Sequence, residues 1–158
     1  MEEARPALPG DLSVCARLLG EARDRLIELR GGPELLAGCT LPPPPEPVDE
    51  QWVADRWTGP QGVLLVGTID GVVVGLGAGR VTANRDARVG TIECCYVEPG
   101  ARGVGVGSSL AGSLVRWFAA EGCAAVDAAA LPGDRGVKQL FESQGLSARL
   151  LVLHRRLP

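Results

Sequence analysis

The fold is decided by the stretch Val97-Glu98-Pro99-Gly100-Ala101-Arg102-Gly103-Val104-Gly105-Val106-Gly107-Ser108-Ser109-Leu110. It is typical of a strand that ends at a proline, a tight glycine loop and a long amphipathic helix. Glycines at 103, 105 and 107 let successive backbone N–H groups turn toward one point at the start of the helix, where the helix dipole favours negative charge. The pattern predicts an anion cradle for a pyrophosphate. No Lys-Ser/Thr pair follows, so the loop lacks the lysine and the magnesium-binding hydroxyl of a nucleotide triphosphatase.

Two cofactors that carry a diphosphate compete for this cradle, a dinucleotide and coenzyme A. The dinucleotide fingerprint requires a third glycine at the place that Ser108 occupies. The acidic residue expected about 20 residues further on would be Asp127, which lies inside an apolar run rather than plainly at its end. Roughly a third of the chain follows the loop, which is short for the further βα units of a dinucleotide fold. Coenzyme A is therefore favoured.

Two segments of the chain resemble the GNAT family of N-acetyltransferases, which transfer acetyl groups from acetyl-CoA to amines. The family pattern Arg/Gln-x-x-Gly-x-Gly/Ala is met by residues 102–107, directly after a strand that ends in valine, an acidic residue and proline. The late helix of the family is similar to Asp134-Arg135-Gly136-Val137-Lys138-Gln139-Leu140-Phe141-Glu142-Ser143-Gln144-Gly145-Leu146. The length of 158 residues and the resemblance together imply one acetyltransferase domain over residues 1–158, with acetyl-CoA as co-substrate. No metal is expected, because the one histidine, His154, has no cysteine or carboxylate at ligand spacing. The cofactor-binding residues that it implies are Cys95, Tyr96, Val97, Arg102, Gly103, Val104, Gly105, Val106, Gly107, Ser108, Asp134 and Phe141.

Periodicity and turn residues along the chain predict strands and helices in an α/β arrangement. The predicted elements are strand Ala4–Leu8, a helix capped by Asp11 and ended by Gly31 and Gly32, an extended proline loop Cys39–Glu50, a helix capped by Asp49, strands Gly62–Ile69 and Val72–Val81 around an Asp70-Gly71 turn, strand Arg88–Val97, a helix closed by Gly122, a buried strand Ala124–Leu131, helix Asp134–Ser143 and strand Ala148–Leu157. Antiparallel strands followed by a β-loop-α-β unit give a mixed, largely antiparallel sheet with helices on both faces. The resemblance implies that the strand ending at Val97 and the strand Ala124–Leu131 splay apart, which leaves backbone groups of Cys95 and Val97 for the cofactor. The tail is short for the family's last two strands, so the sheet is either abbreviated or completed by a second subunit in a homodimer.

Composition indicates the kind of partner and the cell compartment of the protein. The chain of 158 residues has a net charge of −3 and a pI near 5.2, which argues against a general nucleic-acid binder and favours a positively charged small substrate. Five cysteines, with a vicinal pair and no C-x-x-C, do not suggest a disulfide framework and are typical of a reducing cytoplasm. No apolar run is long enough for a membrane span, and the acidic start does not resemble a signal peptide. We therefore expect a cytoplasmic protein.

Attack on a thioester needs a neutral amine, whereas a primary alkylamine has a pKa near 10.4, so a proton acceptor is useful. Glu93 is the best candidate, because the strand around it is similar to that of polyamine acetyltransferases, where the matching glutamate relays the proton through water; the alternative is a glutamate on a solvated strand face. The backbone N–H of Cys95 is the candidate oxyanion donor, and its sulfur is expected to be inert for want of a nearby histidine. Phe141 stands where the family often has a tyrosine that protonates the departing thiolate. Tyr96 is a substitute acid only if a bulge turns it toward the face of its neighbour.

The acceptor is less well marked. Glu46, Asp49 and Glu50 lie beside the proline loop, where they either attract an ammonium group or are solvated loop charges. We expect a coenzyme A-dependent N-acetyltransferase that acts on a small amine by direct transfer in a ternary complex. Two alternatives stay open: a catalytically silent acyl-CoA-binding or regulatory domain, which the missing tyrosine suggests, and a dinucleotide-binding domain.

Overall fold

A computed structural model of the protein describes residues 1–38, 44–83 and 86–158. The helices and strands within them are β1 (Glu2–Pro6), α1 (Leu12–Glu28), α2 (Gly32–Gly38), α3 (Glu50–Trp57), β2 (Gly62–Ile69), β3 (Val72–Ala83), β4 (Arg88–Val97), α4 (Val106–Ala120), β5 (Ala125–Ala128) and α5 (Arg135–Ser143). The strands form one sheet in the order β1-β2-β3-β4-β5, antiparallel except for the parallel pair β4–β5. The mixed, largely antiparallel α/β sheet predicted from the sequence is confirmed.

The sheet separates two hydrophobic cores, because successive side chains of a strand point to opposite faces. Leu64 and Val66 of β2 pack with α1 and α3, whereas Val63 and Leu65 of the same strand pack with α4 and α5. The two layers are called here the α1–α3 face and the α4–α5 face. Trp57 is the largest fully buried side chain on the first face, and Phe118 is the largest fully buried side chain on the second.

Glycines in the sheet let α4 lie unusually close to the strands. A Cβ atom added at Gly67 would lie 2.5 Å from Cγ1 of Val106, and one added at Gly90 would lie 2.4 Å from the ring of Phe118. Such distances are far inside van der Waals contact, so any larger residue at these positions would push the helix off the sheet. Both ends of α4 are therefore fixed by residues of the sheet.

Several local signals in the sequence are confirmed. The strands on either side of the Asp70-Gly71 turn form a hairpin, and β4 has the predicted bounds. The carboxylate of Asp49 caps α3 by accepting a hydrogen bond of 2.6 Å from the backbone N–H of Trp52. Asp134 caps α5 in the same way, through the N–H of Val137 at 3.3 Å. These features depend on residues close together in the chain, which is why sequence alone predicts them.

Other predicted boundaries are wrong. β1 begins two residues earlier than expected, because Glu2 already pairs with Ile69. Asp11 precedes α1, but its carboxylate accepts from the N–H of Leu8 and from the side chain of Arg5 instead of capping that helix. α1 ends at Glu28, and the unpredicted α2 follows it. Residues 39–43 of the predicted proline loop lie outside the described residues, and residues 44–49 are neither helix nor strand.

The largest differences concern the end of the sheet. The strand predicted as fully buried over Ala124–Leu131 is the four-residue β5, which is only partly buried because it is the outermost strand. The strand predicted over Ala148–Leu157 does not form, since so short an edge offers it little to pair with. All residues from 147 to 158 are exposed, among them Leu150, Leu151, Val152, Leu153 and Leu157.

Candidate active site

The pairing of β4 with β5 ends halfway along β4. Their pairing runs from Val89 with Ala125 to Ile92 with Ala128 and ends there, whereas β4 continues for five more residues, 93–97. Over that stretch β4 keeps β3 as its neighbour on one side. The gap on the other side, called here the split, is the splay that the family resemblance implies.

The backbone of Cys95 and Val97 faces the split. The N–H of Glu98 donates to the C=O of Val74 at 3.0 Å, and residues along an antiparallel strand alternate between bonding that neighbour and pointing away from it. The backbone N–H and C=O of Tyr96 therefore bond β3, and the backbone N–H and C=O groups of Cys95 and Val97 point to the opposite side. The C=O of Val97 accepts a hydrogen bond of 2.8 Å from Nε of Arg102.

The glycine loop follows at the end of the split. Gly103 and Gly105 adopt positive φ angles of 82° and 100°, which disfavour residues with a side chain. The first α-helical bond of α4 runs from the N–H of Ser109 to the C=O of Gly105 at 2.9 Å, so the N–H groups of residues 106–108 have no partner within the helix. A Cβ added at Gly103 or Gly105 would meet no protein atom within 4 Å. Free amides, a helix dipole and open space beside Gly103 and Gly105 fit a diphosphate.

Gly107 serves a different purpose from the other two loop glycines. A Cβ at Gly107 would contact Leu140 at 3.6 Å and Val97 at 3.8 Å, so this position faces α5. Phe141, the next residue of α5, is 7% exposed and packs in the α4–α5 core. Phe141 and the α5 cap Asp134 thus both have structural contacts, and their roles toward a cofactor stay predictions.

Glu93 is held by three donors from α3. Its carboxylate accepts hydrogen bonds from Nε of Arg56 at 2.9 Å, from Nη2 of Arg56 at 2.5 Å and from Nε1 of Trp57 at 2.7 Å. The side chain is 4% exposed. These donors occupy three of the roughly four lone-pair sites of the carboxylate, which leaves little of it for accepting a proton from an amine. The sequence did not predict this contact, because Arg56 lies 37 residues away and no local pattern relates the two.

Tyr96 lies on the α1–α3 face, opposite to Cys95, as the strand alternation predicts. Its hydroxyl donates to the carboxylate of Glu21 at 3.2 Å, and the guanidinium of Arg102 lies 5.5 Å from the centre of its ring. Burial raises the pKa of the Tyr96 phenol and the charge of Glu21 raises it further, so the hydroxyl keeps its proton at neutral pH. Arg17 bridges Glu21 and Glu98, at 2.6 Å to each, and so joins α1 to the end of β4.

A cavity of about 560 Å³ lies between α1 and residues 47–50. Asp49 and Glu50, two of the predicted substrate residues, line it together with the charged α1 residues Arg17, Glu21, Arg23 and Asp24. Glu46, the third, does not line the cavity; its carboxylate is exposed and pairs with Arg23 at 3.1 Å. The α1 carboxylates could not be predicted from the sequence, because a charged helix face carries no signal of what it will face.

Three of the four thiols in the described part of the chain are poor nucleophiles. Burial raises the pKa of Cys15 and of Cys95 to about 12, and it raises the pKa of Cys94 as well. A thiol in this state is protonated at neutral pH, which supports the view that Cys95 acts through its backbone. Cys39 lies outside the described residues. In the part of the chain that the structure describes, no three metal-ligating side chains come together, and no helix is long and apolar enough to span a membrane.

Comparisons with known proteins agree with this geometry. Residues 32–146 match the profile of the acetyltransferase (GNAT) family, and the chain belongs to that family. Its fold is similar to that of an acetyltransferase from Trypanosoma brucei, with 23% identity, a TM-score of 0.68 and coverage of 99% of this chain and 100% of the other. Glucosamine-6-phosphate N-acetyltransferase from Arabidopsis thaliana matches with 18% identity, a TM-score of 0.69 and coverage of 100% and 99%.

An aminoglycoside acetyltransferase from an uncultured soil metagenomic sample, solved in complex with sisomicin, has 15% identity and a TM-score of 0.67 over 99% of this chain and 95% of the other. At these identities the likeness shows the fold. No curated protein sequence matches the chain at a significant level.

Proposed function

We propose that this protein is an N-acetyltransferase that transfers the acetyl group of acetyl-CoA to a small primary amine by direct attack in a ternary complex. The observation that carries the proposal is the split, with the amides of Cys95 and Val97 directed into it and the glycine loop at its end. Acetyl-CoA supplies the activated thioester. Family membership supports the reaction class, and acetyl-CoA is the general co-substrate of the family.

The roles of the chain's own residues follow from where their donors point. Residues 102–108 hold the pyrophosphate through backbone amides at the start of α4. The Cys95 N–H stabilises the oxyanion that forms on the carbonyl under attack. The C=O of Val97 is available to the cofactor once Arg102 releases it. Tyr96 lies on the face opposite to Cys95, with its hydroxyl bonded to Glu21, so it does not meet the condition for replacing the missing acid.

The acceptor site is proposed to be the cavity between α1 and residues 47–50. Four carboxylates and two guanidinium groups line it, an excess of negative charge that favours a cation, and the net charge of −3 favours its approach. Two structural neighbours are acetyltransferases named for an aminoglycoside and a sugar amine, so amino sugars belong in the substrate panel beside polyamines.

The test is binding followed by turnover. Calorimetry with acetyl-CoA, and release of free CoA thiol in the presence of each amine, should show binding and transfer with at least one acceptor. Glu50→Gln should then raise the KM for that amine, whereas Glu46→Gln, whose carboxylate lies outside the cavity, should not. Binding of acetyl-CoA without turnover on any amine would favour the silent acyl-CoA-binding domain. Binding of NAD without CoA would favour the dinucleotide domain.

A homodimer is proposed from the exposed tail. Leu151 and Leu153 are 83% and 93% exposed, while Arg149 is tied to Asp127 of β5, next to the outer edge of the sheet. Four consecutive large apolar residues, 150–153, suit a strand covered on both faces, which a second copy of the chain would provide. Sedimentation should show a dimer that Leu151→Ser with Leu153→Ser dissociates and that Val72→Ser, at another exposed apolar site, leaves intact. A monomer at all concentrations would refute it. The cytoplasmic location expected from the cysteines stays a prediction.

A further inference from the structure

Glu93 is the extra residue of a β-bulge. In the pairing of β3 with β4, Ala78 lies opposite Cys94 and Gly79 lies opposite Ile92, so Glu93 has no residue across from it. A bulge puts two neighbouring side chains on the same face of a sheet. Both Glu93 and Cys94 accordingly face α1 and α3, although Ile92 and Cys95 face α4.

The bulge decides which backbone groups face the split. A shift of one residue reverses the direction of every N–H and C=O beyond it, because the alternation along a strand has a period of two. With the bulge in place, the amides of Cys95 and Val97 point into the split. Without it, those amides would bond β3, and the amides of Cys94 and Tyr96 would point outward in their place.

The carboxylate of Glu93 clamps the bulge to the end of α3. Two N–H groups of Arg56 and the indole N–H of Trp57 converge on it at 2.5 to 2.9 Å. Arg56 is itself held from the sheet, because Nη1 of Arg80 in β3 donates to its backbone C=O at 2.9 Å. Trp57 is fully buried in the α1–α3 core. The bulge is therefore tied to a packed helix rather than left to the strand alone.

We infer that Glu93 is a positioning residue that, with Arg56 and Trp57, holds the β4 bulge so that the Cys95 N–H points into the split. The inference rests on the proposed function for the meaning of that amide, and it assigns Glu93 a different role from the proton acceptor suggested by the sequence. A carboxylate that is 4% exposed and bonded to three N–H groups is built to hold an element in place. The amine proton then leaves through another group or through water.

A double-mutant cycle distinguishes the two roles. We expect Glu93→Gln and Arg56→Gln each to lower kcat by about tenfold or more, with the KM for acetyl-CoA changed by less than about twofold, since the cradle is untouched. The double variant should be no slower than the worse single variant, because both remove the same clamp. Arg56→Lys, which keeps the charge but loses the two-pronged geometry of the guanidinium, should recover part of the rate. The pH-rate profile should keep its shape in every variant that turns over.

Amide hydrogen exchange at residues 94–97 provides a readout that does not require activity. Exchange at these residues should be faster than in the wild type in both single variants, whereas exchange in α4 should not change. If Glu93→Gln does not fold, the same measurement is made on Arg56→Lys, which is the mildest change. Loss of an ionisation in Glu93→Gln but not in Arg56→Gln would overturn the inference and make Glu93 the base. Unchanged exchange in both variants would overturn it too. An exchange effect in a protein that acetylates no amine would uphold the clamp and refute the proposed function.

Discussion

Replacing Gly105 with alanine separates the backbone strain of the glycine loop from its contact with a ligand. Gly105 has a φ of 100°, and a Cβ there would meet no protein atom within 4 Å. A left-handed residue with a side chain costs about 1–2 kcal/mol, and loss of glycine's freedom in the unfolded chain returns about 0.4–1 kcal/mol. We therefore expect the free energy of unfolding to fall by about 1 kcal/mol. Any further effect must come from what the methyl group meets in the open space.

In the cradle, that space is where the pyrophosphate would approach the amides of α4. Loss of one charge-assisted hydrogen bond costs about 1.5–3 kcal/mol, which corresponds to a rise of about 10- to 150-fold in the Kd for CoA. Gly122→Ala is the matched control, since Gly122 also has a positive φ, of 74°, with nothing within 4 Å, but lies at the other end of α4. Urea unfolding and calorimetry on both variants measure the two effects. If Gly105→Ala and Gly122→Ala unfold alike and bind CoA like the wild type, the loop is only a turn.

Three further predictions concern buried and half-buried groups. Phe141→Tyr and Phe118→Tyr should each lower the free energy of unfolding in urea by about 1–3 kcal/mol, because both rings lie in the α4–α5 core and the added hydroxyl would be buried there. If Phe141→Tyr alone turned over faster than the wild type, the para position of its ring would instead lie at the CoA sulfur. The hydrogen bond from the Arg5 guanidinium holds the pKa of Asp11 below its usual value, so the stability that this contact contributes is present above about pH 4 and is lost as the pH falls through the lowered pKa. Asp11→Asn should therefore reduce the dependence of the free energy of unfolding on pH over that range. An unchanged dependence would contradict this. Cys95 and Cys15, with pKa values raised to about 12, should resist alkylation at pH 8 in the folded protein and react after unfolding, as mass spectrometry of the labelled peptides would show.

Sequence was sufficient wherever the cause of a feature lies within a few residues of it. The Asp70-Gly71 turn, the Asp49 cap of α3 and the strand that leads into the glycine loop all depend on local backbone preferences, and the structure confirms each of them. It was insufficient for features that depend on a distant partner. The tail 148–157 has the composition of a strand, but a strand needs an edge to pair with, and β5 provides only four residues.

The site shows the same division. The backbone donors of the cradle follow from glycine spacing, so they could be located from the sequence. The surroundings of Glu93 could not be predicted from the sequence, because they depend on a one-residue bulge and on a contact with Arg56. Neither the bulge nor the contact produces a periodic pattern in the sequence. A residue type at a matching position indicates which chemistry is available, whereas its contacts decide whether it accepts a proton or holds a strand.

Packing of α4 connects the fold to the proposed function. Because Gly67 has no side chain, Val106, the first residue of α4, packs directly on the sheet there. Gly90 allows the same close packing of Phe118, near the other end of α4. Because each glycine lies on a strand of known register, the start of α4 is fixed relative to β4 and cannot drift along it. The free amides at that start therefore lie at the end of the split, close to the backbone of Val97, whose side chain a Cβ at Gly107 would contact at 3.8 Å. The glycines of the sheet position the cradle, and those of the loop shape it.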